Sequence, residues 1–159
     1  MNSIKFTLSS DLFFSITFLV FIILINIRNV RGHPNGAPPR LCEKMLPDHG
    51  EQSMTSAMPF EISLDRKFVR GDNKLTIKVK SKDPSRYTLA GVLFIMKQPN
   101  NKLQSFGTFD PTKSGDDLKT VECFGKQGSG ITHTNPSKKT SLMFEWTAPN
   151  VPSGDYELQ

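Results

Sequence analysis

Residues 74–80 read KLTIKVK, with Leu75, Ile77 and Val79 alternating with Lys74, Thr76, Lys78 and Lys80. A period of two marks a strand, because successive side chains point to opposite faces of a sheet. The predicted strand has one apolar face and one face striped with lysine. Upstream, Phe60, Ile62 and Leu64 alternate with Glu61, Ser63 and Asp65 in the same way. Arg70-Gly71-Asp72-Asn73 supplies the turn between the two strands, and Asp83-Pro84-Ser85 ends the second.

Downstream, residues 88–98 read TLAGVLFIMKQ and are apolar at both parities. That pattern predicts a central strand covered on both faces. A buried helix fits the run alone, but Gly91 and the flanking Pro84 and Pro99 favour a strand. The turn residues Gln98-Pro99-Asn100-Asn101 predict that Leu103–Phe109 pairs back as a hairpin. Leu118–Phe124 reads as a further strand, Gly125–Gly130 as a flexible loop and Ile131–Thr134 as a short strand. Ser141–Thr147 places Leu142, Phe144 and Trp146 on one face, so Trp146 is expected in the core, a carbohydrate platform being the alternative. Gly154–Gln159 begins a last strand that lacks a tail, so a fragment or a divergent terminus is expected, with one sheet edge incomplete. Glu43–Met58 is polar and irregular, with room for one helical turn. Seven or eight short strands without a sustained helical period predict an all-β antiparallel sandwich.

The amino terminus has a separate purpose. Lys5 precedes LFFSITFLVFIILINI at 12–27, a run of sixteen uncharged residues. A membrane span needs about 20 apolar residues, so this run is short for one. Val30 and Gly32 sit at −3 and −1 of a cleavage site. Residues 1–32 are therefore expected to be a secretory signal peptide, with a signal anchor as the alternative. The mature chain, 33–159, suits one domain, with 33–41 (HPNGAPPRL) as an extended lead-in. Loss of Lys5, Asp11, Arg28 and Arg31 leaves 17 basic against 14 acidic residues, so +5 becomes +3. A balance of that size favours acidic partners and is too weak to argue for nucleic acid.

Two cysteines, Cys42 and Cys123, remain after cleavage. In an oxidising compartment an even pair becomes a disulfide, the alternative being two buried thiols. No CxxC or Cys/His cluster has the spacing of a redox or zinc site. The sequence also lacks G-x-S-x-G, HExxH and a phosphate-loop GK[ST]. Asp116 and Asp117 provide too few ligands for calcium, and GKQGSG at 125–130 has no following helix to cradle phosphate. No enzyme, metal or cofactor is expected.

A set of short motifs runs in order along the mature chain. Gly36-Ala37-Pro38 precedes Cys42, and Met45, Pro47 and His49 follow as C-x-x-M-x-P-x-H. Pro59-Phe60-Glu61-Ile62, the glycine-led Gly91–Met96, Gly107-Thr108-Phe109, Thr132-His133-Thr134 and Trp146-Thr147-Ala148-Pro149 come after in order. In that order they resemble the reeler domain in its small, secreted insect defense-protein form, and the resemblance spans about Gly36–Gln159. It implies an Ig-like β-sandwich, secretion, a Cys42–Cys123 disulfide and a role in innate immunity. Reeler domains of larger proteins adjoin matrix or membrane regions for which this chain has no room, so the small defense type is expected.

A secreted, monomeric defense protein would meet lipopolysaccharide, teichoic acid and β-glucan of bacterial or fungal surfaces. Lys74, Lys78 and Lys80, with Arg66, Lys67, Arg70 and Lys82 in adjacent turns, could collect the phosphates of such polymers. Alternatively, the lysines only solvate an exposed face and blunt an edge strand. His49 and His133 are candidate ligand contacts, with a hydrogen-bonded structural role as the competing assignment. His33 would be the mature terminus and could chelate copper with His49 or His133, but the Pro/Gly-rich lead-in offers nothing to fix it. The alternative function is an extracellular matrix or adhesion module that binds host glycans or proteins. Neither reading requires nucleic acid or stable membrane insertion.

Overall fold

The two alternating segments at 60–65 and 74–81 do form strands, and they lie side by side. The computed structural model describes residues 32–46, 56–67, 73–101, 103–148 and 151–159, all within the unit Gly32–Gln159. The expected signal peptide, except Gly32, therefore lies outside the described residues, as does His49.

Strands β1 (Phe60–Leu64), β2 (Lys74–Ser81), β7 (Ser141–Thr147) and β4 (Thr108–Asp110) form the first sheet, in the order β1-β2-β7-β4. Strands β5 (Leu118–Cys123), β6 (Lys126–His133), β3 (Leu93–Lys97) and β8 (Glu157–Leu158) form the second, in the order β5-β6-β3-β8. All the pairings are antiparallel. A single helical turn, α1 (Leu41–Lys44), and a 3-10 segment over Thr112–Asp117 complete the regular structure among the described residues. The expected all-β sandwich, with about eight strands, is the fold.

The inner faces of both sheets meet in one core. Leu75, Ile77 and Val79 of β2 and Leu142, Phe144 and Trp146 of β7 pack there against Met96, Leu118 and Ile131 of the second sheet. Phe144 lies at its centre, with its ring 5.3 Å from that of Phe94 and 5.8 Å from that of Phe109. The double-parity pattern of β3 has a specific cause. Phe94 and Met96 belong to the core between the sheets, while Ile95 packs with Cys42 and Cys123 in a second cluster. The N-terminal segment covers that outer face, tied down by the Cys42–Cys123 disulfide. The regular strand starts only at Leu93; earlier in the run, Leu89 makes an isolated bridge to Lys139.

Three expectations are corrected. Leu103–Phe109 does not form a hairpin with β3. Among the described residues, a Gln98–Asn101 bridge and one bond from Phe106 N–H to Met96 O (2.9 Å) join them. Gly107, at φ 66°, then turns the chain so that β4 pairs with β7 in the other sheet. Nor is Gly125–Gly130 a loop, because β6 begins at Lys126, directly after a two-residue turn. Phe124 (φ 53°) and Gly125 (φ 72°) are both left-handed, as the tightest hairpins require. Gly130 is there to make room: a Cβ on it would lie 2.6 Å from Cys123 Sγ. Finally, β2 is not an edge strand, since β1 and β7 flank it. Its lysines cannot serve to blunt an edge.

Candidate functional site

Alternation along β2 puts Lys74, Lys78 and Lys80 on the outer face of the first sheet, all three exposed. Their surroundings differ. The Lys74 ammonium lies 2.6 Å from Glu145 Oε2 and 3.1 Å from Asp110 Oδ2. Lys113 reaches Glu145 Oε1 at 2.9 Å. Two lysines and two carboxylates thus neutralise one another where β2, β7 and β4 lie in register. Lys78 stands between Ser63 and Met143, and Lys80 between Glu61 and Ser141. Neither makes an ion pair among the described residues. The predicted stripe therefore presents two available cations, with the third tied up.

This network has an acid limb. The hydrogen bond from Lys74, and then that from Lys113, hold the Glu145 carboxyl below the usual range. The Thr112 backbone N–H, the Thr112 side chain and Lys74, in that order, pull Asp110 down to about 2. Glu145 in turn, followed by Asp110, pushes Lys74 up. Both carboxylates titrate lower in the folded chain than in the unfolded one. Their contribution is complete above the unfolded values, 3.8 for Asp110 and 4.5 for Glu145, and is lost as pH falls through the lowered ones. The urea midpoint should therefore drop between about pH 4.5 and 2. Glu145→Gln should lower the midpoint at neutral pH, and its gap to the parent should close at the acid end. A gap that stays constant with pH would contradict this.

His133, 8 % exposed, belongs to the second sheet and shares nothing with the lysines. Its Nδ1 accepts the Val92 N–H at 3.1 Å, and its Nε2 lies 2.9 Å from His33 O. Thr132 Oγ1 donates to Val92 O at 2.7 Å and accepts the Ala37 N–H at 2.8 Å. Both ring nitrogens are thus engaged by backbone groups, and neither is left free for a metal. The lead-in is thus docked on the sheet, and its His33 Nε2 takes a hydrogen bond from Arg40 at 3.2 Å. Among the described residues no group of three His, Cys, Asp or Glu could hold a metal ion.

Between this docked segment and β3 lies an apolar cleft of about 550 Å³, lined among others by His33, Leu41, Met45, Val92, Leu93 and His133. Pro136 forms part of its wall. The buried Lys139 ammonium fixes the adjoining turn, donating to Asn135 O (3.1 Å), Asn135 Oδ1 (3.0 Å), Ser137 O (2.8 Å) and Ser137 Oγ (3.0 Å). Sequence reasoning missed Lys139, Lys113, Asp110 and Glu145. Only the outward parity of Glu145 beside Trp146 gave a hint, because its partners, Lys74 on β2 and Lys113 in the 3-10 segment, are distant in sequence.

The architecture defines an Ig-like, two-sheet β-sandwich whose N-terminal segment is held by a disulfide. The chain belongs to the reeler domain family, whose family model, the Reeler domain, matches residues 40–159. It is similar to "Putative ferric-chelate reductase 1" of Danio rerio, 30% identical over 131 residues, covering 82% of this chain and 22% of that protein. It is also similar to "Putative defense protein 1" of Antheraea mylitta, 29% identical over 125 residues, covering 77% of this chain and 71% of that one. The chain thus spans about a fifth of the reductase relative and most of the defense relative. Its fold matches the crystal structure of the human F-spondin reeler domain with a TM-score of 0.53 at 15% identity, covering 64% of this chain and 76% of that one. Among the described residues no helix is long and apolar enough to cross a membrane.

Proposed function

We propose that this chain is a secreted, non-enzymatic defense protein that binds the polyanionic polymers of microbial surfaces, exported by a signal peptide at residues 1–32. The defense-protein relatives support the role, since the match extends over 71% of the Antheraea protein. One observation carries the binding mode: Lys78 and Lys80 stand exposed, without an ion pair among the described residues, on the outer face of a strand held inside a sheet. The phosphates of lipopolysaccharide and teichoic acid are the anions they suit; uncharged β-glucan is the comparison polymer.

The test is solid-phase binding of the secreted protein to each polymer. Lys78→Ser combined with Lys80→Ser should weaken lipopolysaccharide and teichoic acid binding about tenfold at low salt, and less at high salt. Lys74→Ser should leave it nearly unchanged, because Lys74 is already paired. Equal loss from both variants, or binding to β-glucan alone, would overturn the proposal.

A further inference from the structure

Among the described residues, three of the four sheet edges are blunted. Strand β4 has only three residues and runs into Pro111; β8 has two; β5 carries Lys119 and a register shift between Val121 and Cys123. Short length, charge and irregular register are the usual protections against edge pairing. Strand β1 has only one of them, the outward-facing charge of Glu61. Its five residues, FEISL, pair in unbroken register with β2 and hold no proline, no lysine and no inward charge.

The register shows which backbone groups are free. Asp65 N–H bonds Thr76 O at 3.1 Å and Lys82 N–H bonds Pro59 O at 2.9 Å. Antiparallel strands alternate bonded and non-bonded pairs, so Glu61 and Ser63 turn their backbone groups toward β2. Phe60, Ile62 and Leu64 turn theirs outward, where they have no partner among the described residues. The same three residues lie opposite Ser81, Val79 and Ile77, which places their side chains on the inner face. There the second sheet does not reach over them: Ile62 is 38% exposed and Leu64 49%, while Val79 and Ile77 opposite are buried.

We infer that β1 is an interaction edge and that its occupant is β1 of a second copy, running antiparallel about a two-fold axis at Ile62. The segment is complementary to itself in that arrangement. Ile62 meets Ile62 of the other copy, Phe60 meets its Leu64, and Glu61 meets its Ser63. Apolar groups face apolar groups, no like charges oppose each other, and every outward N–H and C=O finds a partner. The two first sheets become one continuous sheet. A Phe60 side chain from the second copy also comes to rest against Leu64, which lines a second cleft of about 560 Å³ with Trp146 and Tyr156. An edge of five residues predicts a dimer that separates on dilution.

Sedimentation velocity of the protein expressed from its full chain, from low to high micromolar concentration, tests this. A shift from monomer to dimer is expected. Ile62→Lys places two ammonium groups face to face on the axis and should raise the dissociation constant about tenfold or more. Leu64→Glu, at the exposed end of the strand, should act in the same direction, and Ile62→Val should preserve the dimer. Thermal midpoints close to the parent's would show that the charged variants still fold. A parent protein that stays monomeric throughout, or a dimer indifferent to both charged variants, would overturn the inference.

Discussion

Replacing Cys42 and Cys123 with alanine is expected to lower the unfolding free energy by about 4 to 5 kcal/mol, the value chain entropy gives for a loop of this size. The two cysteines are 81 positions apart, and the bridge joins the turn at α1 to the end of β5. Without it the unfolded chain regains the freedom of most of the domain. The folded state also loses packing. Cys42 and Cys123 are 1% and 0% exposed and, with Ile95, make the cluster on the outer face of the second sheet. If α1 lifts away, Ile95 meets water and the cleft bounded by Leu41 and Met45 loses a wall. The loss should therefore exceed that of any single substitution on the solvent-facing lysines. Denaturant unfolding of the oxidised protein and the double-alanine variant provides the comparison. A difference below about 1 kcal/mol would mean that the N-terminal segment is held chiefly by its hydrogen bonds to Thr132 and His133.

How far the sequence disclosed this structure depends on the distance over which each feature is determined. Alternation is local, so β1, β2 and β7 and the burial of Trp146 were legible from parity. The doubly apolar β3 announced a covered outer face without revealing that the N-terminal segment does the covering. Glycine was ambiguous because it has two uses. In GKQGSG, several glycines suggested a loop, yet Gly130 leaves space for the disulfide and lies mid-strand. The outward face of the lysine row follows from parity alone. Which lysine was available could not be read, since Glu145 and Asp110 approach Lys74 across two strand boundaries. The docking of the lead-in was likewise invisible, because its anchors, Thr132 and His133, lie about a hundred positions away.

The same contrast between freedom and space decides what happens at Gly107. Its φ of 66° lies in the left-handed region, and a Cβ there would stand 2.3 Å from Thr147 O and 2.4 Å from the Trp146 ring. Trp146 cannot yield, because it is 3% exposed and its Nε1–H donates to Phe106 O at 2.9 Å. Thr147 O is backbone of a strand paired on both sides, with β2 and β4. Gly107→Ala must therefore displace β4 or expel the indole. Expulsion of the indole alone is a loss of the size measured for large-to-small core changes, about 3 to 5 kcal/mol. Gly125→Ala isolates the backbone part of the effect: its φ is 72° and nothing lies within 4 Å of the added carbon. It should cost only about 1 to 2 kcal/mol. Tryptophan fluorescence during urea unfolding reports both, and in Gly107→Ala the native emission itself should shift red as Trp146 meets water. Equal costs for the two alanines, with native emission unchanged, would mean that the turn into β4 can relax and that Trp146 is less fixed than its contacts require.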